Sequence, residues 1–457
     1  MRARYTATAW CAALALSALA VPAAADDGIA DLAAPPTGGA LYVQNVAGGN
    51  HLSSSGSWVT TNRPRGDEDR QHWELDANAD GTHKFRVAGA ADACLTEERG
   101  AAGNARLNVG PCGAAATDWE VREVTADRYR IQARDSGRRL VGAAGHGALA
   151  EARATASDGP AQDWYLTPVS PPRAPMPATP RLDEVTFLTT HNAMHNTEDQ
   201  PGFLVAPNQP HAVTTQLRAG AHALMLDAHH ASGRVRLCHD IPVLGNCSRA
   251  RPAADFFADI AAFLAEDRDA VVTVFLEDYA TADQLRAELG GVLGEGGALA
   301  DRVFRPDAAG VRQDGWPTVA SLRETDRRLL LFTSDTAASS RTNGKNVLGF
   351  MSQRDWTVEN HWSMGGGLGT GDWSCHSRWD DIPLSRQEDG FQRLFVMNHF
   401  RDVPMAPTYR TDNEKVLNRA ERFCAPAART KPNYLAIDQY RDGDPMAAVT
   451  ALNRYVH

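Results

Sequence analysis

Beyond Ala25 the chain contains no apolar run long enough to cross a bilayer. It also lacks an excess of positive charge. Its 46 Lys and Arg against 56 Asp and Glu leave a formal net charge of −10, so no broad basic field exists to hold nucleic acid or anionic lipid. No C-x-x-C pair is present, which removes the usual spacing of a structural zinc site. No G-x-S-x-G elbow is present either, which removes the serine-hydrolase arrangement. What is present is 43% hydrophobic and 22% charged residues, the balance of a soluble globular protein. A length of 457 residues exceeds one ordinary core and implies two or three domains.

The first residues indicate a compartment. Arg2 and Arg4 precede an apolar run from Ala7 to Val21, and Ala23-Ala24-Ala25 follows. That is the layout of a signal peptide (residues 1–25), with cleavage expected after Ala25. Cys11 would leave with it. Six cysteines remain, and an even number in a secreted, extracellular protein reads as three disulfides. Sequence proximity suggests Cys94–Cys112, Cys238–Cys247 and Cys375–Cys424, with other pairings open.

Between Val169 and Pro180 the chain reads VSPPRAPMPATP, a density of proline that favours an extended, semi-rigid spacer. A linker is expected over 169–180. Before it, Gln71-His72-Trp73-Glu74-Leu75 recurs as Thr117-Asp118-Trp119-Glu120-Val121 and as Gln162-Asp163-Trp164-Tyr165-Leu166. A recurrence of this kind signals a repeat architecture, and short alternating stretches such as His83–Val87 make it all-β. Three such repeats resemble the ricin-type β-trefoil, here residues 38–168. The resemblance implies that the tryptophans share one core, and the Cys94–Cys112 spacing is similar to that family's disulfide within a repeat. Sugar binding in those lectins uses an Asp just after Cys-Leu, where this chain has Thr96.

From Arg181 the pattern changes to buried strands alternating with amphipathic helices. Strands are expected at Val185–Thr190, Ala221–Asp227, Val235–Cys238, Ala270–Glu277, Arg328–Thr333, Arg393–Asn398 and Asn433–Asp438. Helices are expected at Ala253–Glu266 and Ala282–Leu293. The fold class is therefore multidomain, an all-β trefoil followed over 181–457 by an α/β barrel, a distorted TIM barrel. Each apolar run ends in a polar, chemically capable residue: His191-Asn192, Asp227, His239, Glu277-Asp278, Asn398-His399 and Asp438. In a barrel such ends converge on one face.

The residue types then suggest a chemistry. His191 and His239 supply a proton acceptor and a donor near working pH. Asn192, Asp227 and Glu277 offer hard oxygens that suit Ca²⁺ better than Zn²⁺. Asp438 could hold one imidazole in the required tautomer. Together they fit phosphodiester cleavage.

Thr189-Thr190-His191-Asn192, Ala223-Leu224-Met225-Leu226-Asp227, Leu237-Cys238-His239 and Val274-Phe275-Leu276-Glu277-Asp278-Tyr279 resemble, in this order, the X region of phosphatidylinositol-specific phospholipase C. Trp316-Pro317, Glu359-Asn360, Asn398-His399-Phe400 and Ala436-Ile437-Asp438 continue the likeness to secreted proteins that carry only this domain. The resemblance implies attack of an inositol hydroxyl on phosphorus. His191 would be the base, or the group stabilising the phosphorane, His239 the acid that protonates the leaving oxygen and Asp438 the residue that orients a histidine. Asn192, Asp227 and Glu277 would fall at calcium-ligand positions. One departure is Met225, where the calcium-dependent branch has Glu; Asp240 or Asp278 is expected to compensate. His195, His222, His229 and His230 are expected to be solvent or loop histidines without a role, and Cys238 a disulfide partner rather than a nucleophile. The expected partners are a phospholipid or other phosphodiester at a membrane surface. The alternative is a catalytically silent barrel carried to a glycan by the trefoil.

Overall fold

The computed structural model describes residues 34–457 apart from the short segments 65–68, 99–102, 115, 126–127, 143–146, 155–158, 170–172, 201–205, 240–245, 335–347, 369–370, 380, 387, 389 and 407. The expected signal peptide and Asp240 lie outside the described residues.

Among the described residues, Ala40–Pro168 form thirteen short antiparallel strands. Their side chains alternate as a half-buried sheet requires: in Arg128–Ala133, Tyr129, Ile131 and Ala133 point inward while the residues between them are partly exposed. The sheet closes on itself, because Ala105–Gly110 pairs with Trp58–Asn62. The repeat is carried into three dimensions by one interaction made three times. Trp73 Nε1 donates to Leu52 O at 2.9 Å, Trp119 Nε1 to Leu95 O at 3.1 Å and Trp164 Nε1 to Leu140 O at 3.1 Å. All three indoles are fully buried in one core, so each polar N–H there needs its acceptor.

Among its described residues the proline-rich segment forms a short edge strand and is not a free spacer. Ala174–Pro175 pairs antiparallel with Tyr455–Val456, and Met176 N donates to Arg454 O at 3.0 Å. Proline is tolerated on such an edge because the missing N–H faces away from the ladder. Arg173 lies 4.2 Å above the Tyr455 ring and bonds Glu421. The first unit also touches the second directly: Gln44 Nε2 donates to Ala427 O at 3.0 Å, and the Arg429 guanidinium sits 4.4 Å over the Tyr165 ring.

The second unit is a curled parallel sheet with helices. Phe187–Thr190, Ala223–Ala231, Val272–Asp278, Leu329–Thr333 and Met351–Ser352 pair in that order. Thr357–Glu359, Leu394–His399 and Tyr434–Ile437 continue it, and the last strand pairs with the first. Among the described residues no pairing joins Met351–Ser352 to Thr357–Glu359. Leu224, Leu226, Val272, Val274 and Leu276 point outward and pack under the helices Ala253–Glu266 and Ala282–Leu293. Ala223, Phe275, Leu330, Phe332 and Tyr434 fill the centre.

Two expectations are corrected. Arg234–Leu237 is not a further parallel strand; it runs antiparallel to Ala223–Ala231. The reason is local: Ser232 and Gly233 both adopt positive φ, 52° and 76°, the backbone of a two-residue hairpin turn. The strands Met351–Ser352 and Thr357–Glu359 were not expected, since two or three residues carry no readable period. The three disulfides are Cys94–Cys112, Cys238–Cys247 and Cys375–Cys424, the pairs that proximity suggested.

Replacing Trp119 by Phe keeps an aromatic ring in the core but leaves Leu95 O without its buried donor. The expected loss is about 1–3 kcal/mol of stability, read as a lower denaturant midpoint with an unchanged slope.

Candidate active site

At the carboxyl ends of the parallel strands lies a cavity of about 710 Å³. Its wall is set by strand register. Met225 is aligned with Phe275 and Asp227 with Glu277, and the His229 and Tyr279 rings stack at 4.5 Å. Because side chains alternate along a strand, all six line the cavity. They form an apolar floor, a carboxylate layer and an aromatic rim.

His191 follows Phe187–Thr190, and Asp438 follows Tyr434–Ile437, the strand beside it. His191 Nδ1 lies 2.9 Å from Asp438 Oδ1, and its ring stacks on Phe400 at 3.5 Å with planes 4° apart. Gln209 clips the two strand ends together, donating to both His191 O and Ile437 O. Asn192 has a φ of 44°, a left-handed conformation that Asn tolerates better than most residues. It turns the chain so that Ala193 N reaches Met225 O.

His239 reaches the same cavity by a different route. The hairpin returns the chain along Ala223–Ala231, so that Cys238 N donates to Asp227 O at 3.1 Å. The Cys238–Cys247 bridge fixes this return. His239 Nδ1 then lies 3.1 Å from Asp227 Oδ2 and 3.2 Å from Asn192 Nδ2. The hydrogen bond to Asp227 raises the His239 pKa above its ordinary value. A raised histidine pKa contributes stability below the unfolded value and loses it as pH rises through the folded value. Each histidine thus has a carboxylate at Nδ1, a tautomer that leaves Nε2 for the cavity.

The other expected residues separate by strand parity. Glu277 faces the cavity and accepts from Tyr279 Oη at 2.6 Å. Asp278 faces the other way, fully buried, and accepts from Thr333 Oγ1. It therefore does not compensate for Met225. Asn398 lines the cavity, whereas His399 turns away to Asp412 O at 2.8 Å and is pushed down to about 3 by burial. His230 is exposed and His222 packs on Phe263 away from the cavity. His195 and His229 contradict the sequence reading, for both line the cavity.

The sequence reading placed Glu359 in a motif without giving it a role and missed Arg378 altogether. Glu359 ends a three-residue strand, and Arg378 lies in the irregular chain that follows. Arg378 N donates to Glu359 O at 2.8 Å, and its Nη1 pairs with Glu359 Oε1 at 3.0 Å. Glu359, and after it Glu277 at a distance, favours the charged guanidinium. Arg401 also lines the cavity, but it turns Nε and Nη2 to the Asp412 carboxylate.

Asn192, Asp227 and Glu277 fit Ca²⁺ in kind, as hard oxygen donors from three chain segments. They do not fill its usual complement of six to eight oxygens, and Met225 beneath them adds none. Water and substrate oxygens would supply the rest. Ligand atoms of His229, Cys238 and Cys247 also lie within 4.8 Å of one another, but both sulfurs are joined in a disulfide and are not thiolate ligands.

Asp227→Asn removes the charge behind His239. Its titration, followed by imidazole NMR, is expected to move to lower pH. An unmoved His239 would exclude Asp227 as the source of the shift.

The family model described as PI-PLC X matches residues 179–453. A PI-PLC X domain-containing protein of Arabidopsis thaliana is 28% identical over 282 residues, 60% of this chain and 62% of the relative. An uncharacterized secreted protein of Arthroderma benhamiae is 22% identical over 277 residues, 57% of this chain and 58% of the relative. The chain thus spans about three fifths of the length of these relatives. Among solved structures, the designed three-fold symmetric protein ThreeFoil is 22% identical with a TM-score of 0.26, covering 28% of this chain and 98% of that one. A Macrolepiota procera ricin B-like lectin in complex with lactose is 18% identical with a TM-score of 0.26, covering 29% and 98%. The family match runs through His191, Asp227, His239, Glu277 and Asp438 and takes in more than half of the chain, which therefore belongs to the PI-PLC X-domain family.

Proposed function

We propose that this protein is an exported phosphodiesterase that cleaves the phosphodiester of a phospholipid or related ester by acid–base catalysis between His191 and His239. The observation that carries the reading is the paired arrangement: two imidazoles in one cavity, each with a carboxylate at Nδ1. The curled sheet, whose first and last strands pair, is read as the family's distorted (β/α)₈ barrel. Three disulfides and a relative described as secreted support an oxidising, extracellular setting.

In this reading His191 Nε2 takes the proton of the attacking hydroxyl as its oxygen bonds to phosphorus. Asp438 stabilises the imidazolium that forms. The bond from phosphorus to the leaving oxygen breaks, and His239 gives that oxygen its proton. Asp227 favours the protonated His239 needed for this step. Arg378 places a fixed positive charge on the wall for the phosphate oxygens. When bound, Ca²⁺ would be held by Asn192, Asp227 and Glu277 and would offset charge on those oxygens. An attacking hydroxyl within the substrate gives a cyclic phosphate, and water gives an acyclic one.

Purified mature protein, assayed on phosphatidylinositol vesicles with Ca²⁺, is expected to release the head group. His191→Ala and His239→Ala should each lower kcat by roughly 10²–10⁴-fold. Full activity in either variant would exclude the mechanism. Absence of any phosphodiester cleavage by the wild type, with glycan capture by the first unit, would support the silent-barrel alternative.

The metal is tested separately from turnover. Added Ca²⁺ is expected to raise the Tm of the wild type through binding to the folded state and to leave that of Glu277→Gln nearly unchanged.

A further inference from the structure

The first unit meets the second at both anchors of the segment that carries Arg378. One anchor is helical. Val416–Arg419, Ala420–Cys424 and Ala425–Ala428 follow one another without a break, and the chain leaves them at Arg429 with a φ of 61°. The last carbonyls of such a run have no partner within it. Ala427 is fully buried there, and its oxygen is met from the first unit, where Gln44 Nε2 donates to it at 3.0 Å. Gln44 is 1% exposed, so its amide belongs to an internal joint. The Arg429 guanidinium, 4.4 Å over the Tyr165 ring, adds a contact at the same end.

The other anchor is a turn within the segment. Asp372 Oδ1 accepts from Ser374 N at 2.9 Å and from Ser374 Oγ at 2.6 Å, and Arg63 of the first unit stands 3.9 Å from the Asp372 carboxylate. The charge of Arg63 is felt further along the chain. Burial first, and Arg63 next, push His376 down to about 4. His376 O accepts from His361 N at 2.9 Å, and Arg378 N donates to Glu359 O at 2.8 Å, so this stretch is held as one piece against a strand end.

The two anchors are themselves joined. Cys424 is bridged to Cys375, and Arg419 donates to Trp373 O and to Ser374 O, each at 3.2 Å. A continuous path therefore leads from Gln44 through the helical run and the disulfide to 373–375. A second path leads from Arg63 through Asp372 to the same residues. Both end at the stretch that places Arg378 on the cavity wall.

We propose that the first unit is a brace for this wall. Gln44 and Arg63 are positioning residues that hold 372–378 and thereby set how firmly Arg378 holds a phosphate. The bracing rests on the contacts alone; its effect on phosphate rests on the role given to Arg378 in the function proposed above. Arg63 and Asp372 are 44% and 39% exposed, and an ion pair so exposed contributes little. Gln44 serves a buried acceptor, whose loss costs more, so Gln44 dominates.

The test uses the full chain with Gln44→Leu, Arg63→Ala and Arg63→Lys. Amide exchange is followed over 372–378 and, for reference, over Val272–Asp278, and binding of inorganic phosphate is followed by calorimetry. In Gln44→Leu, exchange over 372–378 is expected to quicken and the phosphate Kd to rise, each roughly three- to tenfold, with the reference strand unchanged. Arg63→Ala should have the same effects at less than about threefold and move the His376 imidazole titration to higher pH. Arg63→Lys, which keeps the charge, should restore the His376 titration. Equal quickening in both regions would mean a general loss of stability, and unchanged exchange over 372–378 would mean that the wall stands without the first unit; either overturns the proposal. If Gln44→Leu does not fold, Arg63→Ala decides: unmoved exchange together with an unmoved His376 overturns it. Arg378→Ala keeps this test apart from the proposed function. Quicker exchange at an unchanged phosphate Kd overturns the proposal where Arg378→Ala weakens phosphate. Where Arg378→Ala leaves phosphate binding unchanged, the phosphate role of Arg378 falls and the brace stands.

Discussion

Asp227 is the point where strand, hairpin and the proposed proton donor, His239, meet. Its backbone holds the register that sets it beside Glu277. Its carbonyl accepts Cys238 N, so the return strand can end only where His239 falls next to the cavity. Its carboxylate then bonds His239 Nδ1 and favours the protonated ring. A slip of one residue in this register would turn every side chain of the strand to the other face and would bury Leu226 and Ala228 in the cavity instead. The position of His239 is thus a consequence of sheet pairing.

Much of this was legible in the sequence because parity is simple. An apolar run that ends in His191, Glu277 or Asp438 places that residue at a strand end, and parallel strands bring such ends together. The three tryptophans were legible for the same reason, since one motif repeated three times has one structural meaning. The hairpin before His239 was not. Val235–Cys238 looks like any other strand, and only the positive φ of Ser232 and Gly233 reveals the reversal. His195 failed differently. A histidine among loop residues is normally solvated, and nothing local shows that Asn208 will fix it inside the wall.

Arg378 lay beyond sequence reasoning because it belongs to no periodic element, and Glu359, named only within a motif, ends a strand too short to show a period. Arg378 is held in place from a distance. Cys375 is bridged to Cys424, and the fully buried Arg419 donates to the carbonyls of Trp373, Ser374 and Asn398. Those bonds tie the irregular chain to the end of a parallel strand. A buried guanidinium bonded to carbonyl oxygens is an expensive device, and here it secures the segment that carries the only arginine on the cavity wall not turned to Asp412 among the described residues. The first unit meets the same region: Arg63 lies 3.9 Å from Asp372.

The two histidines differ in setting as their proposed roles require. His191 is 19% exposed, clamped between Asp438 and the face of Phe400. A base that must meet one hydroxyl benefits from a fixed ring. His239 is 38% exposed, nearer the mouth, on a short disulfide-anchored return, where a leaving group can reach it. Met225 fits this division. With Phe275 it forms the apolar floor below Asp227 and Glu277, so no carboxylate stands at that position to add repulsion against an incoming phosphate. With fewer charges to neutralise, more of the positive charge that Arg378, a protonated His239 and any bound cation supply is left for the substrate.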